Sequence, residues 1–256
     1  MTARAFAVSS TDASGRPTEV LSAGDGVTVV FLHGAGIVEG FDCLLPLAER
    51  FRLILPLMPG YGETALDPPV RSRDAAVEQV AAVLDGLGIE ETVLVGHSLG
   101  GWLAAATAAR FPNRISKLVL AAPYGLPVQG QSLAHLFAMG PEERLAALTN
   151  DPAIWEGRLP EGPDEAFDAA RALEGEALSR FFPGDYDREL TATLSTISAP
   201  TLILWGDDDK MFSLAYARAW QRALPHAELR TYPGVRHLMF HERREAVDAI
   251  ADFASR

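Results

Sequence analysis

The chain has 256 residues, enough for one large domain with an insertion and a sizeable buried core. Its composition, 48% hydrophobic and 22% charged, is that of an ordinary globular protein. The net charge of −12 comes with no basic run, and such a surface repels phosphate backbones and anionic lipid, so neither nucleic acid nor a membrane is expected as a partner. Cys43 is the only cysteine, which rules out an internal disulfide and fits a reducing compartment. The first ten residues lack a basic stretch followed by a long apolar core. No later apolar run approaches the roughly eighteen residues of a membrane span. A cytoplasmic location is the expectation.

In chain order, residues 3–8 and 17–21 alternate loosely about a turn-rich stretch with Gly15 and Pro17, and predict an antiparallel hairpin at a sheet edge. Residues 27–32 form a continuous apolar run, as in a strand buried on both faces of a parallel sheet. It ends in His33-Gly34-Ala35-Gly36. A helix is expected over 41–50, a strand over 51–55, a turn at Pro59-Gly60-Tyr61-Gly62, and a helix over 71–87 that stops at Gly88. The apolar run 93–95 leads into Gly96-His97-Ser98-Leu99-Gly100 and an alanine-rich helical run over 102–111. A strand follows over 117–122.

After Pro123 the β-runs disappear. Helical pieces over 131–139, 141–149 and 163–182, broken by Gly and Pro, predict an inserted helical cap spanning 124–195. The alternation returns with strands over 201–205 and 227–232 and helices over 213–224 and 242–254. Residues 1–123 and 196–256 therefore read as one α/β core: a doubly wound, mostly parallel sheet of about eight strands.

Gly-X-Ser-X-Gly between a strand and a helix describes a turn sharp enough to push a hydroxyl out at the strand's carboxyl end. A side chain at Gly96 or Gly100 would meet the backbone as it doubles back. Ser98 then stands at a helix N-terminus, where unpaired N–H groups favour negative charge; the plainer reading is a serine that merely begins a helix. A serine nucleophile needs a base, and the base an orienting acid. In such sheets the working groups collect at the carboxyl ends of strands. His237, after the last strand, meets that condition, with His241 as fallback; His33 is expected to brace its loop, His97 to point away from Ser98, and His135 and His226 to lie elsewhere. For the acid, Asp207, Asp208 and Asp209 all follow the strand over 201–205, and no acid ends the strand before it. Clustered carboxylates also suit a weak cation site. The backbone N–H of Leu99 and one from the His33-Gly34 loop, Ala35 ahead of Gly36, are the expected oxyanion donors.

These features together resemble the α/β-hydrolase superfamily, its serine-nucleophile, esterase- and lactonase-like branch with a helical cap. The resemblance rests on the His33-Gly34 loop, Pro59-Gly60-Tyr61-Gly62, Gly96-His97-Ser98-Leu99-Gly100-Gly101, and Gly206-X-X-Asp209 followed by His237 and Glu242. It implies the order Ser98, Asp209, His237, selects Asp209 among the three aspartates, and supports Ala35. One departure is Leu57, where similar members carry aspartate. The implied activity is hydrolysis of a carboxylic ester or lactone through an acyl-enzyme; C–C bond hydrolysis, thioester cleavage and cofactor-free perhydrolysis use a similar triad. No cofactor or metal is implied. A small, largely apolar substrate is the expected partner, in a pocket drawn from Gly36, Trp102, Phe137, Trp155, Met211 and Leu238, although most of these aromatics also suit plain packing of the cap. A homodimer is compatible with this reading. Two rivals are weaker. Gly34-X-Gly36-X-X-X-Gly40 imitates a dinucleotide turn, but residues 51–59 lack the acid a ribose would need. A non-catalytic ligand receptor on the same fold would make the intact triad superfluous.

Overall fold

The computed structural model describes residues 5–67, 70–129, 131, 139–182, 184 and 186–256. Within them eight strands form one sheet: β1 (Ala7–Asp12), β2 (Pro17–Ala23), β3 (Thr28–Leu32), β4 (Arg52–Pro56), β5 (Thr92–His97), β6 (Ile115–Ala121), β7 (Thr201–Gly206) and β8 (Ala227–Tyr232). Their order is β1-β2-β4-β3-β5-β6-β7-β8. The β1–β2 and β2–β4 pairs are antiparallel and every other pair is parallel, so six carboxyl ends share one edge. Every residue of β5 and β7 is buried, which is why these segments read as unbroken apolar runs rather than alternating ones.

Eight α-helices occur among the described residues: α1 (Arg73–Gly86), α2 (Leu99–Arg110), α3 (Pro141–Leu148), α4 (Glu165–Phe181), α5 (Arg188–Thr193), α6 (Leu214–Ala223), α7 (Met239–Glu242) and α8 (Arg244–Ala254). Several begin at side-chain caps. Ser72 Oγ accepts from Ala75 N–H at 3.1 Å, and the Asp164 and Asp187 carboxylates accept from the first turns of α4 and α5. The described residues of 124–195 hold α3, α4, α5 and short 3₁₀ turns, and no strand.

Four elements differ from the expectation. The first hairpin strand lies at 7–12, not 3–8, because the turn is tight. Ser14 and Gly15 both take positive φ (56° and 83°), Asp12 Oδ1 caps Gly15 N–H, and Asp12 pairs directly with Pro17. The segment over 41–50 winds as a 3₁₀ helix, Asp42–Glu49; Pro46 inside it has no N–H to give. α2 starts at Leu99, three residues early, with no spacer after Ser98. The final helix is two pieces broken at Arg243, whose backbone is extended. The piece expected over 131–139 lies almost wholly outside the described residues.

The turn at Ser98 leaves no slack. Ser98 itself sits at φ 53°, ψ −115°, a left-handed conformation that costs on the order of 1–3 kcal/mol. A Cβ on Gly96 would run into the Gly100 carbonyl, and one on Gly100 into the carbonyls of Leu32 and His33 at the end of β3. The second collision is with a neighbouring strand, so the glycine serves the sheet as well as the turn. Gly100→Ala should therefore lower stability by about 2–3 kcal/mol, a Tm decrease of roughly 5–10 °C, read by thermal unfolding.

Candidate active site

β5, β7 and β8 deliver Ser98, Asp209 and His237 to the same edge of the sheet, on loops that leave parallel strands in the same direction. Gly206 ends β7 beneath the backbone of Val235 and Arg236, where a Cβ would clash. That close approach, with Asp208 N–H donating to the Val235 carbonyl at 3.1 Å, brings the loop after β8 down onto the loop after β7.

There His237 Nδ1 meets Asp209 Oδ2 at 2.8 Å. The Asp209 side chain is fully buried, and its other oxygen accepts from Met211 N–H (2.7 Å) and Phe212 N–H (2.9 Å). Three donors share one buried carboxylate, as a buried charge requires. The three neighbouring aspartates thus do three things. Asp207 Oδ1 accepts from Gly234 N–H, and Asp208 pairs with Lys210 and Arg236. With Nδ1 committed to Asp209, Nε2 is the ring atom of His237 that remains for a reacting group. Glu242 pins the same loop, accepting from Arg236 N–H at 3.0 Å and from Asn150 N–H at 2.7 Å.

The other histidines separate cleanly. His33 braces the loop after β3, as expected. Met58 N–H donates to its Nε2 (2.9 Å), so the proton is on Nδ1, which donates to the Gly34 carbonyl at 2.7 Å. Carbonyl and N–H of one trans peptide point in opposite directions. Holding the Gly34 carbonyl therefore turns the Ala35 N–H away from His33. The next peptide is held too, since Tyr61 Oη–H donates to the Ala35 carbonyl at 2.9 Å. His241 packs its Nε2 against Cys43 Sγ at 3.4 Å, at the start of a helix. Burial and nearby acids push the Cys43 thiol up to about 12, so it stays protonated. His226 is exposed at the opposite end of the sheet, and His135 lies outside the described residues.

His97 is the residue that sequence reasoning undervalued. Its ring goes to the His237 backbone, Nε2 lying 3.0 Å from the His237 carbonyl, with the two imidazole centroids 4.8 Å apart. Nothing but its place inside Gly-X-Ser-X-Gly hinted at this contact.

The expected pocket residues divide. Leu238 lines a small cavity together with Gly34, Glu39, Phe41, His97 and Phe240. Gly36 is not in that described lining; a Cβ on it would stand 3.9 Å from the Glu39 carboxyl. Trp102 is a correction: it has no exposed surface, donates Nε1–H to Asp187 at 2.8 Å, and stacks on Phe181. A helix facing the sheet buries its large side chains, so Trp102 anchors α5 rather than facing a substrate. Trp155 ends a half-buried 3₁₀ turn, and Met211 serves through its backbone; neither is among the described residues lining that cavity. Phe137 lies outside the described residues. Leu57 is buried and lines a separate apolar cavity with Met58, Val70 and Leu103, so the expected aspartate is replaced by packing.

Electrostatics single out Glu39. Burial raises its pKa to about 7, against the pull of its own backbone N–H and of His237, Arg171 and Arg158. Glu174, buried beside Arg171, is raised to about 7 for the same first reason. No group of three or more potential metal ligands occurs among the described residues, and no helix there is long and apolar enough to cross a membrane.

The comparisons with known proteins agree with this fold. A model of the alpha/beta hydrolase family matches residues 29–250. The chain belongs to the alpha/beta hydrolase family and is a hydrolase. A 2-hydroxy-6-oxo-6-phenylhexa-2,4-dienoate hydrolase of Burkholderia cepacia is 28% identical over 258 residues, covering 89% of this chain and 87% of that protein. Among solved structures, a serine hydrolase involved in carbazole degradation superposes with TM-score 0.80 at 23% identity, over 98% of this chain and 99% of that one. A membrane phospholipase A superposes with TM-score 0.79 at 22% identity, over 98% and 87%. At these identities the two structures speak for the fold alone.

Burial lowers the His33 pKa to about 4 and holds His97 well below its usual range. The unfolded chain takes up a proton on each near pH 6.5, so the unfolded state binds more protons and these two groups cost stability as pH falls below that value. Glu39 and Glu174 act in the opposite sense, losing stability as pH rises from about 4.5 toward 7. A comparison with His33→Gln isolates one contribution. The stability gap between wild type and variant should narrow by about 2 kcal/mol between pH 7.5 and 5, read by urea unfolding at both values.

Proposed function

We propose that this hydrolase cleaves carboxylic esters or lactones of a small, largely apolar, uncharged substrate, with Ser98 as nucleophile, His237 as base and Asp209 as its orienting acid. The observation that carries this reading is the 2.8 Å contact between His237 Nδ1 and a fully buried Asp209 carboxylate, on the same edge of the sheet as Ser98. In it, His237 Nε2 takes the Ser98 proton as the oxygen attacks the carbonyl carbon. Oxygen becomes anionic, and the Ala35 and Leu99 amides donate to it. Collapse of the tetrahedral intermediate expels the alcohol, which takes the proton back from His237. Water activated by the same imidazole then releases the acid. Asp209 keeps the proton on Nδ1 and stabilises the imidazolium.

The substrate class follows from the pocket. Its described lining includes Phe31, Phe41, Leu44, Leu238 and Phe240, one acid, Glu39, and neither lysine nor arginine. A neutral acyl group suits that wall, where a carboxylate would stand beside the Glu39 acid. We read residues 124–195 as a cap over this pocket. The second reading is C–C bond hydrolysis of a vinylogous diketone acid, favoured by the similarity to the Burkholderia cepacia enzyme.

Wild type should label with a fluorophosphonate probe. Ser98→Ala should lose both labelling and turnover, the latter by on the order of 10⁴-fold or more; persistent labelling would move the nucleophile elsewhere. A panel of p-nitrophenyl esters of graded chain length, run beside lactones and a C–C-cleavable dienoate, separates the two reactions. Esters or lactones should be the faster substrates. Fast dienoate cleavage with inert esters would install the second reading, and tight ligand binding without any turnover would make the protein a receptor.

A further inference from the structure

The Ser98, Asp209 and His237 assignment leaves open what holds the imidazole opposite the hydroxyl. Asp209 fixes the ring's rotation but grips only one atom of it. The backbone of residue 237 lies on a loop between β8 and α7, and a shift of that loop would carry the ring away from Ser98.

The peptide joining His237 to Leu238 is held at both of its polar ends. On one side its carbonyl faces His97 Nε2 at 3.0 Å; on the other, Leu238 N–H donates to the Leu148 carbonyl at 2.8 Å, the C-terminal end of α3. A carbonyl only accepts, so the His97 proton is on Nε2. The rest of the His97 ring is enclosed. It packs edge-on to Phe240, centroids 6.0 Å apart, and its Nδ1 lies against Gly34, 3.3 Å from where a Cβ would stand. His97 is also the chain neighbour of Ser98. One side chain thus touches the loop carrying the base and the loop carrying Ala35, while its own backbone enters the turn of the nucleophile.

We propose that His97 is a positioning residue of the hydrolytic reaction: its Nε2–H, bonded to the His237 carbonyl, sets the distance between the base and Ser98. This rests on the reading of Ser98 and His237 given above. The span from nucleophile to base then runs through one covalent neighbour, one ring and one hydrogen bond, with no side chain long enough to flex. The same ring walls the back of Gly34, so displacing it loosens the oxyanion loop as well. The His97 side chain needs no contact with substrate to do this.

The first test uses wild type alone. Long-range ¹H–¹⁵N correlation spectra of ¹⁵N-histidine-labelled protein at pH 7.5 should show His97 as the Nε2–H tautomer and His237 with its proton on Nδ1. An Nδ1–H tautomer at His97 overturns the proposal, because that form has nothing to donate. The second uses variants. His97→Leu removes the donor from a buried carbonyl and should lower kcat on a p-nitrophenyl ester by about 30-fold, slow fluorophosphonate labelling in parallel, and leave KM within about threefold. His97→Gln, whose amide reaches the same carbonyl, should recover most of kcat. Leu and Gln variants impaired alike, or a Leu variant as fast as wild type, would refute the assignment. If Ser98→Ala still labels, the triad reading fails instead; if Ser98→Ala is inert while His97→Leu is fully active, only this inference falls.

Discussion

The candidate site hangs on a turn with no room for one more carbon atom. Gly96 lies under the carbonyl of Gly100, and Gly100 lies against the end of β3. Because β5 lies inside the parallel block, flanked by β3 and β6, the turn that follows it is compressed from both sides. Ser98 consequently takes a backbone conformation that few non-glycine residues adopt. Strain of that kind persists only where the surroundings over-determine it. Here the surroundings are specific: Ser98 N–H donates to Ala121 on β6, and its carbonyl receives Gly101, Trp102 and Tyr124. The serine is thus wired into α2, β6 and the chain entering the insertion before it does anything else.

Around that turn, polar groups are buried at high density with few net charges. His33 and His97 are enclosed imidazoles that donate from one nitrogen, and desolvation keeps both neutral. The buried Asp209 carries its charge on donors from His237 and two backbone amides. Hydrogen-bonded neutral donors cost less to bury than charges do. One anion, shared among three donors, is enough to fix a single tautomer of His237. The three loops of the site are cross-linked by such contacts, His33 serving the Ala35 loop, His97 and Glu242 the His237 loop.

A fold of this type hosts many reactions, so membership of the family decides hydrolysis and not the bond cleaved. What biases the choice in this chain is local. Glu39 borders the cavity beside His97, raised to about 7 by its burial, and the described lining offers apolar surface with neither lysine nor arginine. Residues 124–195 reach the site through backbone contacts, Leu148 to Leu238 and Asn150 to Glu242. Loops and residues 124–195 thus border the candidate site, while the sheet carries the strand ends that bring Ser98, Asp209 and His237 to one edge.

Much of this was legible from the chain alone, for reasons of local physics. Parallel strands buried on both faces leave unbroken apolar runs, and Thr92–His97 and Thr201–Gly206 stood almost where those runs lie. Short backbone approaches demand glycine, so Gly96, Gly100 and Gly206 marked the turns that bring Ser98 and Asp209 to one edge. Tertiary contact decided the rest. Trp102 has the composition of a pocket wall and the position of a core anchor, because Asp187, 85 residues away, takes its N–H. His97 looked like filler in a motif until a loop 140 residues downstream supplied a carbonyl for it. Periodicity and steric need are recorded within a few residues of where they act; the partner of a buried polar group is recorded nowhere near it, and only the folded chain brings the two together.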